Sequence, residues 1–169
     1  MPKKKEADLY IYKSGVFDFG AIHKIIREWY TKHRFTPFEK VYKSKPSKYM
    51  GREVIDEWMG TRKITGYIRY NVYVEIKAWD VVDVEVPIGK KKVKKQKSRI
   101  RVRVWSELET DYEGRFSENI FLEKVRNFYE KYIIKKEIET KYEAEIWMMT
   151  YDLHGKLKQA LEMEAEKFG

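Results

Sequence analysis

The alternation of apolar and polar side chains between Ile64 and Val86 constrains this chain more than any other feature. One face of the segment carries Ile68, Tyr70, Val72, Val74, Ile76 and Ala78, and the other carries Tyr67, Arg69, Asn71, Tyr73, Glu75, Lys77 and Trp79. A period of two residues is typical of a β-strand with one buried face. The segment therefore predicts the strongest strand of the protein.

A second alternating segment follows, after an interruption at Pro87, Ile88 and Gly89. The stretch SRIRVRVWSELETDY places Ile100, Val102 and Val104 on one face and Arg99, Arg101 and Arg103 on the other. Two alternating runs joined by a short polar segment indicate a long antiparallel hairpin, over about 64–112. We expect its tip, at about 88–98, to be rich in lysine.

The register of this hairpin can be predicted from its charges. If Glu85 pairs with Arg101 and Asp83 pairs with Arg103, the apolar residues of both strands stay on one face, as they must. Cross-strand pairs of opposite charge then neutralise two of the arginines.

Shorter elements precede the hairpin. The segment DLYIYK, residues 8–13, predicts a strand, and FDFGAIHKIIREWYTKH predicts a helix that Asp18 can cap. The buried stripe of that helix consists of Ile22, Ile25, Ile26 and Trp29. The segments FEKVYKSKP and REVIDEWMGTRKIT are interpreted as two further strands.

The chain after Gly114 is predicted to be helical. Ser117 can cap a helix with the stripe Phe121, Val125, Phe128 and Tyr132, and a second stripe consists of Ile134, Ile138, Tyr142, Ile146, Met149, Leu153, Leu157 and Leu161. One unbroken helix from 117 to 167 would be about 75 Å long, whereas a compact domain of this size has a radius of gyration of roughly 15 Å. We expect a break near Ile133 to Lys136; a projecting arm is the alternative.

This order of elements predicts an α+β fold, in which an N-terminal helix and long C-terminal helices pack on an antiparallel sheet. Residues 1–169 are expected to form a single domain. The order resembles that of helix-grip and similar ligand-holding folds, and this analogy leaves open a small apolar-ligand carrier.

Composition excludes several chemistries. The chain has no cysteine, which rules out disulfides, cysteine-ligated zinc, iron–sulfur clusters and thiol nucleophiles. No segment approaches 18 uncharged apolar residues, so no membrane span or secretion signal is predicted and a cytoplasmic location is expected. Asparagine and glutamine are scarce beside abundant lysine and glutamate, which is typical of hyperthermophiles.

The positive charge of the chain is concentrated in one place. The net charge is +9, and the nine lysines and arginines of KKKVKKQKSRIRVRV, residues 90–104, account for all of it. The lysines in this stretch have no acid between them; they are Lys90, Lys91, Lys92, Lys94, Lys95 and Lys97. Ammonium groups without partners favour a polyanion, either nucleic acid or an anionic membrane surface. The alternative is a solubilising tip that discourages strand pairing.

Aromatic and basic residues on the long strand suggest a second contact. Tyr67, Tyr73 and Trp79 share a face with Arg69 and Lys77, which is a combination found in stacking platforms for single-stranded nucleic acid. Cross-strand packing of these aromatic residues is the alternative. The glycine and phenylalanine of an RNP motif are missing.

No catalytic, metal or cofactor site is predicted. His23, His33 and His154 lack the spacing of metal ligands, and the nine glycines form neither a P-loop nor a dinucleotide-binding motif. The acidic residues near Glu139 and Glu143 alternate with lysines, as on a solvated helix face.

The sequence therefore favours a non-enzymatic protein that binds nucleic acid or a nucleoprotein surface with low specificity. The alternative is a homo-oligomer that assembles through the C-terminal helices, by way of Ile146, Met149, Leu153, Leu157 and Leu161. The same stripe can instead face the core.

Overall fold

Five antiparallel strands and a set of helices make up the computed structural model, which describes residues 3–48 and 50–168 apart from the side chains of 163–168. The strands and the first helix are β1 (Lys3–Phe17), α1 (Phe19–Lys32), β2 (Thr36–Pro46), β3 (Arg52–Lys63), β4 (Ile68–Ile88) and β5 (Lys91–Thr110). The C-terminal helices are α2 (Ile120–Phe128), α3 (Lys135–Glu137) and α4 (Glu143–Phe168), separated by π-helical turns at Tyr129–Ile133 and Ile138–Tyr142. The predicted α+β class is confirmed.

The strands form one sheet in the order β1-β5-β4-β3-β2. The apolar face of β4 is buried as its alternation predicts: Ile68, Tyr70, Val72, Val74, Ile76 and Ala78 are all 4% exposed or less. We call this the inner face of the sheet. The opposite face, which carries the odd-numbered residues of β4 from Arg69 to Trp79, is the outer face.

Two helices cover the inner face. Helix α1 buries Ile22, Ile26 and Trp29 as predicted, and the adjacent Tyr30 donates a hydrogen bond of 2.8 Å from its hydroxyl to the carbonyl oxygen of Val72. Helix α4 buries Ile146, Leu153, Leu157 and Leu161, all 0% exposed, in the same core.

The burial of α4 corrects the prediction of an oligomer interface on this stripe. Leu153, Leu157 and Leu161 belong to the core cluster, and Met149 is partly buried against it. Their side chains contact the body of the same chain, so they are not available to a second copy. The stripe is the core-facing side of the helix, which was the alternative interpretation.

The helix boundaries confirm one predicted cap and correct another. The carboxylate of Asp18 accepts a hydrogen bond from the amide of Ala21 and caps α1. Helix α2 is capped by Asn119 rather than Ser117. The hydroxyl of Ser117 donates instead to Asp111 and accepts from Arg126, so it does not reach the helix amides.

The predicted interruption of the C-terminal helix occurs at Ile134. This residue has φ −109° and ψ 2°, and its amide donates to the carbonyl of Tyr129, five residues back. The helical segments before it, α2 and the first π-helical turn, bury none of their residues. The break therefore separates an exposed helical segment from the buried α4.

The register of the β4–β5 hairpin differs from the predicted one. Ile88 lies opposite Lys91, so Gly89 and Lys90 alone form the turn, and Gly89 has φ 61°. Asp83 lies opposite Gln96 and Glu85 opposite Lys94, instead of Arg103 and Arg101. The prediction was wrong because it allotted the whole lysine run to the tip, whereas β5 begins at Lys91.

Gly60 on β3 supports a direct test of core packing. A Cβ atom at this position would overlap the ring of Tyr30, which is 0% exposed and cannot move aside. We expect Gly60→Ala to lower the free energy of unfolding by about 3 kcal/mol, measured by denaturant titration. Gly66→Ala is the control, because no atom lies within 4 Å of the added methyl group; an equal loss in both variants would contradict the packing described.

Gly155 supports the opposite prediction, a substitution that raises the free energy of unfolding. It lies exposed within the continuous helix α4, with nothing within 4 Å of an added Cβ. Gly155→Ala should therefore stabilise the protein by up to about 1 kcal/mol, through helix propensity alone. A lower denaturation midpoint for this variant would show that the position is packed.

Candidate nucleic-acid interface

The end of the β4–β5 hairpin extends beyond the rest of the sheet. The last residue of β4 that pairs with β3 is Val81, and the last residue of β1 pairs with Gln96 of β5. Beyond these pairs the ribbon has only two strands, from the pair Val84 and Lys95 to the turn. We call residues 84–95 the distal ribbon. Five residue pairs at the usual rise give it a length of about 17 Å.

Lysines cover the distal ribbon. Lys90, Lys91 and Lys92 are exposed, and among the described residues no carboxylate forms an ion pair with them. Lys94 is 69% exposed, with its Nζ 3.6 Å from Asp83 Oδ2. Asp83 is shared, because it also binds Arg52, so it compensates the lysine only in part. The ribbon therefore presents positive charge to solvent.

Two of the predicted lysines differ from the others in position. Lys95 is only 5% exposed and interacts with other groups, so it is not available to a ligand in this structure. Lys97 is exposed, but it lies where β5 pairs with both β1 and β4, at the base of the ribbon. The accessible charge is therefore concentrated at Lys90, Lys91, Lys92 and Lys94.

The three arginines of β5 are neutralised, although not by the predicted partners. Arg99 Nε lies 2.8 Å from Asp80 Oδ2, and Arg101 Nη2 lies 2.7 Å from Glu75 Oε1. Arg103 donates two hydrogen bonds of 2.8 Å to the carboxylate of Asp8. These hydrogen bonds lower the pKa of Asp8 to about 2. The arginines therefore form ion pairs with carboxylates of the same sheet, and these pairs compete with binding to a polyanion.

Most of the predicted stacking platform is also engaged within the chain. Tyr73 stacks on Trp105 with ring centroids 4.9 Å apart, and its hydroxyl donates to Glu107. Tyr67 donates to Glu130 and contacts Phe116 and Tyr129 edge to face. Burial raises the pKa of both tyrosines, and the neighbouring carboxylates raise it further.

The basic members of the platform are used in different ways. Arg69 binds the fully buried Glu109, with Nη2 2.6 Å from Oε2, and covers the ring of Tyr112. Lys77 and Trp79 lie on the same face, half-buried, opposite Arg101 and Arg99. The outer face is thus a set of compensated ion pairs, which corresponds to the alternative of cross-strand packing.

An exposed aromatic pair on β1 was not identified from the sequence. Tyr10 and Tyr12 are 43% and 67% exposed, and their rings stack with centroids 6.1 Å apart. They lie opposite Arg103 and Arg101, whose guanidinium groups approach the Tyr10 ring. The alternation of DLYIYK, which places both tyrosines on one face, was the signal that could have identified them.

A buried histidine–carboxylate contact was also missed. His23 Nε2 on α1 lies 2.5 Å from Asp56 Oδ2 on β3, and Asp56 is 1% exposed. Burial opposes ionisation of Asp56, but the neighbouring His23 and Trp58 side chains hold its pKa below the usual value, and the proximity of Asp56 raises the pKa of Glu39. The contact lines a cavity of about 200 Å³ beside the start of α1. Thirty-three residues separate the two partners, so no local motif reveals them.

Two absences limit the chemistry of the described residues. No group of three or more histidine or acidic residues among them can hold a metal ion. Within the same part of the chain, no helix has the length and apolar character needed to cross a bilayer.

Comparison with known proteins gives no relative. No family model matches the chain, and neither the curated proteins nor the solved structures contain a match. The interpretation of the ribbon therefore depends on its own residues.

The Asp8–Arg103 ion pair supports a pH-dependent test of the outer face. The pKa of Asp8 falls from 3.8 to about 2 on folding. The contribution of its ion pair to the free energy of unfolding is therefore present above about pH 4 and is lost as the pH falls toward 2. We expect Asp8→Asn to lower the free energy of unfolding at pH 7 by about 1–2 kcal/mol, allowing for solvent screening. Denaturant titrations across this pH range should show the difference disappearing; a difference that persists at pH 2 would exclude the ionic origin.

Proposed function

We propose that this chain is a non-enzymatic protein that binds nucleic acid through the distal ribbon. The observation that supports the proposal is the protrusion of residues 84–95 as two strands that carry four solvent-facing lysines. Binding proteins of this kind need no catalytic group. The proposed ligand is the phosphate backbone, and the rest of the fold supports the ribbon.

Electrostatics favours a polyanion as the ligand. Lys90, Lys91, Lys92 and Lys94 lie within five residues and repel one another, since they outnumber Glu85 of the ribbon and the adjacent Asp83. A phosphate backbone relieves this repulsion and releases one condensed counterion for about every phosphate that is neutralised. The free energy of binding should therefore come mainly from counterion release.

The shape of the ribbon favours a duplex. The two strands of a ribbon lie about 4.8 Å apart, and the major groove of B-form DNA is about 12 Å wide and admits a two-stranded β-ribbon. Because neither β1 nor β3 flanks residues 84–95, the sheet does not block their approach to a groove.

Low specificity follows from the side chains of the ribbon. Adenine is read by asparagine or glutamine, and residues 84–95 contain neither of them, nor any arginine; their only polar side chains are the lysines and one glutamate. Gln96 lies at the base of the ribbon and accepts a hydrogen bond from the Phe19 amide. Lysines that contact phosphate position a protein without reading sequence.

The experiment compares the wild type with a variant in which Lys90, Lys91, Lys92 and Lys94 are all glutamine. Binding to a fluorescent duplex DNA is measured by anisotropy over a series of salt concentrations. The slope of log affinity against log salt concentration should be less negative in the variant by about 3 to 4, which is nearly one for each lysine removed. Thermal stability should be unchanged, because these side chains are exposed.

The matched control removes the same charge elsewhere. Lys24, Lys32, Lys135 and Lys136 are exposed on the helices, and their replacement by glutamine should leave the slope close to that of the wild type. Duplex RNA and single-stranded DNA are tested in parallel to establish which form is preferred. A wild type that does not bind, or two variants that lose the same slope, would refute the proposal.

A further inference from the structure

Helix α2 and the turn after it carry an apolar surface that the described residues of the chain do not cover. The exposed side chains and their exposed fractions are Ile120 (73%), Phe121 (73%), Val125 (39%), Phe128 (58%), Tyr132 (65%) and Ile133 (62%). We call these six residues the α2 stripe. Four of them were predicted as the apolar stripe of a helix, and that helix forms, but its stripe faces solvent.

The contacts of α2 with the body lie on another side of the helix. Glu130 accepts the hydrogen bond from Tyr67, and Arg126 binds the hydroxyl of Ser117. The residues at intervals of four, Leu122, Arg126, Glu130 and Ile134, are the partly buried ones. Because α2 rests on this line, the α2 stripe points away from its own chain.

The extent of the stripe is that of a protein interface. Six side chains with these exposed fractions leave on the order of 700 Å² of mostly apolar surface, since a large apolar or aromatic side chain presents roughly 150–250 Å². A stable dimer buries about 800 Å² on each partner, while the largest apolar patch of a typical monomer is about 300–600 Å². The stripe therefore has nearly the whole area that a dimer requires.

The stability of α2 is a second argument for a partner. Helices shorter than about 12–15 residues are marginal in water unless an apolar face packs against another element. Helix α2 has nine residues and buries none of them, and the five-residue turn that follows buries none either. A partner on the stripe would supply the packing that the chain lacks.

We propose that the α2 stripe is the contact between two copies of this chain, related by a two-fold axis. Phenylalanine, tyrosine, isoleucine and valine form it, and interface cores are enriched in aromatic residues and depleted of charge. Two-fold dimers are the commonest soluble oligomers, and they bring the same patch of both copies together. The exposed Lys124 and Lys131 lie beside the stripe, at the rim.

The position of the stripe leaves the ribbon accessible. Tyr67, which contacts the helical segment of the stripe through Glu130 and Tyr129, immediately precedes β4, and the distal ribbon lies at the other end of that strand. A strand of 21 residues spans about 70 Å. A dimer formed through α2 thus presents two separate ribbons, and its existence does not depend on nucleic-acid binding.

The first experiment is sedimentation equilibrium of the full chain over a range of micromolar concentrations, without nucleic acid. The wild type should be a dimer, and the double variant Phe121→Asp with Phe128→Asp should dissociate at least about a hundredfold more readily. Met50→Asp is the control: Met50 is 70% exposed, in the β2–β3 turn. Circular dichroism establishes that each variant is folded.

A second measurement does not depend on how well the aspartate variants fold. The chain has no cysteine, so Val125→Cys introduces a single thiol within the stripe, and a two-fold contact brings it near its copy. Oxidation or a short bismaleimide should cross-link this variant efficiently, whereas Met50→Cys should stay monomeric on denaturing gels.

Other results would overturn the inference. A wild type that stays monomeric at high micromolar concentration excludes the dimer, as does a dimer that the double variant leaves intact. Sedimentation of the monomer with phosphatidylglycerol vesicles, abolished in the double variant, would assign the stripe to a lipid surface instead. Neither result depends on whether the ribbon binds DNA.

Discussion

The pairing of β4 with β5 is the constraint on which the other features depend, since these are the two longest strands and neighbours within the sheet. The turn at Gly89 and Lys90 sets the pairing as far as Val82 and Lys97, and a bulge between Trp79 and Val82 shifts it by one residue to the register of the core. A slip of one residue would turn the apolar face of one strand to the outer side. In the observed register Val74 lies opposite Val104 and Glu75 opposite Arg103, so the core and the ion pairs of the outer face are set together.

The two faces of the sheet carry different kinds of side chain. The inner face is closed by α1 and α4, and the tyrosine hydroxyls that reach it are bonded to backbone, as Tyr30 is to Val72. On the outer face each β5 arginine has a carboxylate, with Asp8 bound to Arg103 and Glu75 to Arg101. At the distal ribbon, where the sheet has narrowed to two strands, Lys90, Lys91 and Lys92 form no ion pair with a carboxylate of the described residues.

The sequence predicted what depends on periodicity. The alternation of β4, the stripe of α1 and the Asp18 cap are local patterns, and they were confirmed. The break near Ile134, predicted from the length of an unbroken helix, was also confirmed. The start of β5 was missed because six lysines in eight residues conceal any alternation, even though Lys95 is buried. Apolar residues at helical spacing also do not predict which part of the protein covers them. The stripe of α4 lies in the core, whereas that of α2 is open to solvent.

The candidate site was predictable to a similar extent. The lysines are identified by composition alone, but the engagement of Tyr67 and Tyr73 depends on Glu130 and Glu107, which are distant in sequence. The same holds for His23 and Asp56. Whether a polar or aromatic side chain can bind a ligand depends on its contacts with other elements. The residue pattern of a single strand does not predict those contacts.

Lysine footprinting of the complex tests the role of the ribbon most directly. The wild-type chain is labelled with an acylating reagent in the presence and absence of duplex DNA, and the modified lysines are quantified by mass spectrometry. We expect strong protection of Lys90, Lys91, Lys92 and Lys94 and little change at Lys24 and Lys32, which are also exposed. Uniform protection over the surface, or protection that spares the ribbon, would contradict this role of the ribbon.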